Sequence, residues 1–414
     1  MLSVILIGII IFSFAIFIYS LISSRIEASI ITAPMIFVGI GLLFSPDGFD
    51  ILNLGANNEY ILIFAEIALV FILFSDAARI DFTALKGTWR YPSRLLVIGL
   101  PLTIFAGTVI AIILFTNIAL PEAALIGAIL APTDAGLGQA IVNSPKVPAK
   151  IRRALNVEGG LNDGGAIPFF AFFLVLATAK EYNIPAVQWI TYALEQIWFA
   201  VIVGIAVGLI GGYLVNMAIK KGLMSGSFRW IGFLALAIIS FVAADAVGGS
   251  GFIAAFVGGL ATTVTGKHFE EAIIEFTSTE GEIFSLGVFF IFGIIVASLI
   301  SGITLAVILY AVLSLTLIRM VPVAISLART HLDSTSILFM GWFGPRGLAS
   351  IVLLLLALNE APSIPGIHTI AVVVSTTVLI SVFAHGITAN PFINLYAKKI
   401  ASLPPNAQER NETG

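Results

Sequence analysis

Apolar residues in this chain come in long unbroken runs, not at the spacing of a surface helix. A run of about 18 to 25 such residues is long enough for a helix to cross a ~30 Å hydrocarbon core. Cutting the runs where Pro, Gly and charge clusters interrupt them gives thirteen spans. They cover 2–23, 29–45, 58–75, 94–117, 119–144, 150–178, 186–219, 229–247, 249–265, 272–298, 301–328, 335–358 and 366–396. The pattern predicts an all-α polytopic membrane protein with a single membrane domain over 1–396 and a short tail over 397–414. The first run lacks a basic n-region and reads as an uncleaved span.

The basic residues test that division, because misplaced spans would scramble the alternation of basic loops. Every second loop is basic, holding Arg25, then Arg79, Lys86, Arg90 and Arg94, then Lys146, Lys150, Arg152 and Arg153, then Lys220, Lys221 and Arg229, then Lys267, then Arg329, and finally Lys398, Lys399 and Arg410. The intervening loops hold only Lys180. The expectation is a multi-pass protein of the cell membrane with its N-terminus outside and its C-terminus cytoplasmic. Composition agrees, since 59% of residues are hydrophobic and 10% charged, against about 25% charged in soluble domains. A net charge of −3 offers no basic field for nucleic acid. With no cysteine and four histidines, disulfides, thiolate metal sites and a zinc centre are not expected. The chemistry falls to carboxylates, amides and arginines.

Spans 1 to 6 and 8 to 13 form two sets of six around the seventh, and the odd separation inverts the second set relative to the first. The repeats are expected over about 1–178 and 229–396, with 186–219 as a linking helix. The fifth member of each set is disrupted, by Ala131-Pro132-Thr133-Asp134-Ala135-Gly136 in span 5 and by Gly341-Trp342-Phe343-Gly344-Pro345-Arg346-Gly347 in span 12. Matched broken helices in corresponding halves point to a transport site.

An ionisable group within a span costs at least about 2.5 kcal/mol on insertion scales and needs a partner, a wet cavity or a function. Asp134, Asp163, Arg319 and Arg346 each lie about ten residues from the basic end of their span, which places them ~15 Å deep. Span 6 reads Val157-Glu158-Gly159-Gly160-Leu161-Asn162-Asp163-Gly164-Gly165, crowding three polar side chains into little more than one turn beside glycines that admit a neighbouring backbone. Asp163 is expected to be the titratable ion ligand, with Asp134, Thr133 and carbonyls freed by the break adding oxygens for a hard cation. Glu158 is expected to be neutralised by Arg319. Glu66, in mid-span, serves either an ion path or a helix-packing hydrogen bond. Asp76 and Asp81 read as solvated caps, Asp245 and Glu282 as groups near the membrane interface, and His385 as a packing residue.

These residues resemble a family. Pro132-Thr133-Asp134, Glu158 through Asp163, Leu317-Ile318-Arg319, Gly341 through Gly347 and His385-Gly386-Ile387-Thr388 look like the NhaP/NHE branch of the monovalent cation:proton antiporters. The resemblance implies an NhaA-like inverted-repeat fold with two discontinuous crossing helices, a mobile core domain and a dimerisation domain. It places the cation on Asp163 with help from Asp134 and Thr133. It makes Asn162 an orienting neighbour, bridges Glu158 to Arg319, and favours Glu66 as a contributor. A homodimer follows from it as well. The family commonly has Ser where this chain has Gly159.

The implied function is secondary active exchange of Na+ or Li+ for H+, one for one, with both ions competing for Asp163. Burial disfavours the charged carboxylate and a bound cation favours it. No cofactor is expected beyond the transported ions, and no enzymatic activity, since no Ser-His pair, His-rich metal motif or paired-Asp protease pattern emerges. The alternatives are a K+/H+ antiporter, a sodium-coupled organic-solute symporter of similar fold, and a cation channel, against which the paired breaks argue.

Overall fold

A computed structural model describes residues 2–27, 29–55, 58–80, 89–134, 136–179, 186–265, 270–404 and 408–409. Asp81, Lys86, Ala135, Lys180, Lys267 and Arg410 lie outside the described residues. Spans 1 to 3 are the helices Leu2–Glu27, Ala33–Phe44 and Glu59–Ala78, and span 4 runs from Arg90 to Leu114. Span 5 is Leu120–Ile129 and, past a break, Gln139–Val142. Spans 6 and 7 are Ala149–Ala179 and Ala186–Lys220, and spans 8 to 10 are Gly226–Asp245, Gly251–Thr265 and Glu270–Ala297. Span 11 is Leu305–Leu315 followed by Leu317–Ser326, span 12 is Ser334–Trp342 followed by Leu348–Glu360, and span 13 is Ile367–Ala401. Eight of these are long and apolar enough to cross a membrane unaided, and shorter apolar helices supply the rest.

Both expected breaks have local causes. Pro132 has no N–H to offer and biases Ala131 away from the helical region, and Pro345 does the same beside two glycines. Two further irregularities were not expected. Span 4 passes through a π turn at Leu95–Gly99, where the ring of Pro101 would otherwise meet the carbonyl four residues back. Span 11 is interrupted at Thr316, with φ −112° and ψ −96°. Its hydroxyl donates to the Val312 carbonyl at 2.6 Å, and Pro322 removes a backbone donor nearly two turns later. Spans 4 and 11 hold the same place in the two sets of six, so the irregularities are paired like the breaks. Span 13 continues to Ala401, past the boundary expected at 396.

Spans 4, 5, 6, 11, 12 and 13 pack mainly on one another, and spans 2, 3, 7, 8, 9 and 10 form a second group. Span 1 packs lightly on span 2 and, through Phe12, on Phe290 of span 10, and it leaves Ile10, Phe14 and Leu21 about two-thirds exposed, which suits hydrocarbon and not water. Spans 2 and 10 meet backbone to backbone, because a Cβ on Gly41 or Gly293 would collide with the main chain of the other helix. Span 6 is seated against spans 3, 7 and 9, and the second half of span 12 against spans 3 and 10. The groups therefore meet along the helices that carry the polar residues. At the basic end, Arg94 donates to the carbonyls of Ser326 (2.5 Å) and Ala328 (3.0 Å), and Arg90 to that of Arg329 (2.9 Å). These cations meet the unpaired carbonyls ending span 11.

Candidate functional site

The two breaks lie against each other, and each supplies the charge that the other's helix end needs. Asp134 Oδ2 accepts from the Leu348 N–H at 2.8 Å, at the first residue of the second half of span 12, and Oδ1 accepts from the Leu137 N–H at 3.1 Å. Arg346 Nη1 donates to the carbonyls of Ala131 (2.6 Å) and Pro132 (2.9 Å), just past the end of the first half of span 5. An anion thus sits at a helix N-terminus and a cation at a helix C-terminus, where the exposed N–H and C=O groups favour them. The Asp134 N–H donates to the Pro345 carbonyl at 2.8 Å, and the Ser350 hydroxyl to that of Ile129 at 2.7 Å. Asp134, read from sequence as an ion ligand, has both oxygens engaged by backbone donors.

Glycines let the breaks close. A Cβ on Gly347 would overlap the Asp134 carboxylate, and one on Gly344 would crowd the Arg319 guanidinium and Thr133. Gly347→Ala is expected to push Asp134 off the Leu348 N–H and cost about 1–3 kcal/mol of stability, the range for overpacking a dense interior. Thermal unfolding in detergent measures it, and an unchanged melting point would refute the contact.

Span 6 brings its polar turn to the same place. Glu158 Oε1 lies 2.6 Å from Arg319 Nη1, and both side chains are 3% exposed. Asn162 Nδ2 donates to Thr133 Oγ1 at 2.5 Å, tying span 6 to the break of span 5. Asn162 Oδ1 and Asp163 Oδ1 are buried and accept no hydrogen bond from the described residues. Such atoms are uncommon in folded proteins, and each needs an explanation. Against Thr133, the partner of Asn162, on the side nearer the basic loops, is a cavity of about 20 Å³ lined by Thr133, Asp134, Gly138, Ile141, Val142, Leu155, Gly159, Phe343 and Pro345. That is room for one water-sized occupant.

Span 12 is fixed to span 13 across its break. The Arg346 N–H donates to Ser381 Oγ at 2.6 Å, Ser381 Oγ lies 3.2 Å from His385 Nδ1, and His385 Nε2 lies 2.8 Å from the Trp342 carbonyl. Nε2 faces a carbonyl and donates to it, while Nδ1 faces both the Ser381 hydroxyl and, at 3.0 Å, the Ser381 carbonyl.

One carboxylate differs from its sequence reading, and another lies apart from the crossing. Asp76, read as a solvated cap, lies within the helix of span 3, half-buried, and a Cβ on Gly160 would be 3.4 Å from its own Cβ. Asp163 thus has Asp76 as well as Asp134 within electrostatic reach. Glu66 lies ten residues before Asp76, about 15 Å along the helix. Its charged neighbours are Asp245 and Glu360, so it belongs to a separate group on the far side of the breaks from the basic loops.

The model of the transmembrane sodium/hydrogen exchanger family matches residues 9–395. The chain belongs to that family. Among relatives, it is 24% identical over 279 residues to a sodium, potassium, lithium and rubidium/H+ antiporter of Bacillus pumilus, an alignment covering 64% of this chain and 39% of the other. It is 24% identical over 402 residues to the K+/H+ antiporter NhaP2 of Shewanella baltica, covering 95% and 66%. The chain thus spans between about a third and two-thirds of the curated exchangers it matches. Among solved structures, the sodium proton antiporter MjNhaP1 of Methanocaldococcus jannaschii superposes with a TM-score of 0.74 at 20% identity, covering 97% of this chain and all of that one. The fold is that of the NhaP antiporters, with two inverted repeats and two crossing helices.

Proposed function

We propose that this exchanger moves Na+ or Li+ against H+, one for one, with both ions competing for Asp163. The observation that carries the reading is a charge balance. At the crossing, spans 5, 6, 11 and 12 hold Asp134 and Glu158 against Arg319 and Arg346, all four engaged in capping or pairing. Asp163 is the charge left over, with an unpartnered buried oxygen. Either a proton or a monovalent cation neutralises it, and each excludes the other. The bare carboxylate pays the full cost of an unpaired charge in hydrocarbon, which deters the empty carrier from changing sides. That penalty enforces exchange and suppresses leak.

In this reading Thr133 and Asn162 Oδ1 complete the cation's oxygen shell. Asp134 contributes its field while its oxygens hold the crossing together, and Asp76 adds negative potential from span 3. Glu158–Arg319 locks span 6 to span 11, so that spans 4, 5, 6, 11, 12 and 13 move as one body against the remainder. Glu66, with Asp245 and Glu360, draws cations toward the face opposite the basic loops. The repeats run over about 1–178 and 229–396 with 186–219 between them. The basic loops are cytoplasmic and the membrane is that of the cell. Two copies pair through span 1, whose apolar groove of about 440 Å³ against span 2 includes Ile10, Phe14, Ile36 and Phe44. The work is ion translocation and not enzymatic conversion. K+ in place of Na+ is the second reading, favoured by the names of the Bacillus and Shewanella relatives.

Proteoliposomes holding an imposed proton gradient and a pH dye test this. Added Na+ or Li+ is expected to collapse the gradient whether or not voltage is clamped. A response to K+ alone moves the reading to K+/H+ exchange, and no response to any cation refutes it. Gly159→Ser, which adds a hydroxyl beside Thr133 in the cavity, is expected to lower the half-saturating Na+ concentration severalfold. An unchanged value removes position 159 from the ion shell.

A further inference from the structure

Glycines show how span 9 is joined to its neighbours, and the joins are of two kinds. A Cβ on Gly204 or Gly208 of span 7 would strike the carbonyls of Ala254 and Gly258, and one on Gly259 of span 9 would strike that of Phe74 in span 3. Span 9 is therefore interlocked main chain to main chain with spans 7 and 3, and it cannot slide on them. Where the two groups of spans meet, the glycines face side chains instead. A Cβ on Gly164 of span 6 would overlap the ring of Phe256 of span 9, and one on Gly386 of span 13 would overlap the Met35 side chain of span 2. A ring can leave a notch in a helix without disturbing the main chain on either side.

Gly160 lies four residues from Gly164 toward the basic loops, on the same face of span 6. A Cβ there would be 3.4 Å from that of Asp76, an ordinary contact, so this second notch holds no ring. Asn156 and Pro168 take the next places along that face, which leaves two notches and no third. We infer that Phe256 indexes the transport stroke: its ring sits on Gly164 in this conformation and on Gly160 in the other, the moving group having slid by four residues, or about 6 Å. The inference rests on the reading that spans 4, 5, 6, 11, 12 and 13 move as one body. Its direction suits that reading, because Asp163 lies between the two notches. A ring on Gly164 leaves the carboxylate on the basic side, and a ring on Gly160 leaves it on the opposite side. One side chain, fixed to interlocked helices, thus stands between Asp163 and one face of the membrane at a time.

Closing the empty notch tests this without disturbing the occupied one. Gly160→Ala fits the present conformation and removes the second seat. It is expected to cut the maximal exchange rate in proteoliposomes at least tenfold, with a melting point no lower than wild type, since alanine is the better helix former. Adding Phe256→Leu shortens the side chain that needs the notch, and is expected to recover at least threefold of the lost rate. A normal rate in Gly160→Ala overturns the inference. So does a double variant as slow as the single one, which would trace the loss to the Asp76 contact and not to the ring.

Those rates depend on the exchange reading, so a second measurement stands apart from it. The chain has no cysteine, and engineered pairs are therefore its only thiols. In full-length protein in lipid, Phe256→Cys with Gly164→Cys is expected to form a disulfide under mild oxidant, because the two positions touch. Phe256→Cys with Gly160→Cys lies about one turn out of register here and closes only through the slide. It is expected to close as well, read as protection of both thiols from a maleimide. Phe256→Cys with Asn156→Cys, a further turn away, is expected to stay open. Failure of either of the first two pairs to close, or closure of the third as fast as the second, overturns the inference whatever the protein transports. Closure of the first two alone in a chain that moves no cation upholds the index and refutes the exchange reading.

Discussion

Asp163→Asn abolishes cation–proton exchange and leaves the protein folded with a melting point no lower than before. Both halves of that expectation follow from the same atoms. Asp163 is 7% exposed and its Oδ1 accepts nothing from the described residues. The native side chain is thus a buried ionisable group without a partner, which is costly to the fold. Asparagine has nearly the same shape and cannot ionise, so the fold loses nothing that held it together. Transport loses everything, because a neutral amide neither releases a proton when a cation arrives nor forms the unneutralised state that blocks an empty carrier. A channel using the same oxygens would behave differently, keeping a voltage-driven cation current in the variant. Dye dequenching in proteoliposomes, paired with thermal unfolding in detergent, separates the outcomes. Exchange surviving in a folded variant would remove Asp163 from the mechanism.

Much of this site was readable from the chain, for identifiable reasons. Apolar runs have a length set by the bilayer, so all thirteen spans could be counted. Prolines announced both crossing helices, because a missing N–H breaks a helix wherever it sits. The depths of Arg319 and Arg346 followed from counting residues along a rigid rise. What stayed hidden depends on contacts between distant segments. Nothing near Asp134 reveals that Leu348, 214 positions on, supplies an orphan N–H for it. Read alone, a carboxylate at a broken helix looks like an ion ligand. Asp76 was misjudged because an apolar run ends before its helix does, and the polar last turn of span 3 lies against Gly160. The breaks in spans 4 and 11 were missed since Pro101 and Thr316 sit within runs whose hydropathy never falters.

The second large effect is expected at Arg319, and its direction depends on what is left behind. Arg319→Ala strands Glu158, whose Oε2 already has no partner, in a site 3% exposed. Removing one member of a buried pair typically costs about 3–5 kcal/mol, most of it the desolvation of the surviving charge. The variant is expected to unfold at a markedly lower temperature and to lose exchange. Replacing both members behaves otherwise, because an apolar or neutral pair of similar volume is often as stable as the ions it replaces. Glu158→Gln combined with Arg319→Met should therefore recover most of the lost stability, giving a coupling energy of about 2 kcal/mol or more in a double-mutant cycle. Exchange should not recover with it. The double variant removes one anion and one cation and so keeps the charge balance that singles out Asp163, but it frees span 6 from its register on span 11. Stability and transport would then separate. Strictly additive stability effects would mean that the 2.6 Å contact between Glu158 and Arg319 couples nothing, and full transport in the double variant would mean that the pair is packing alone.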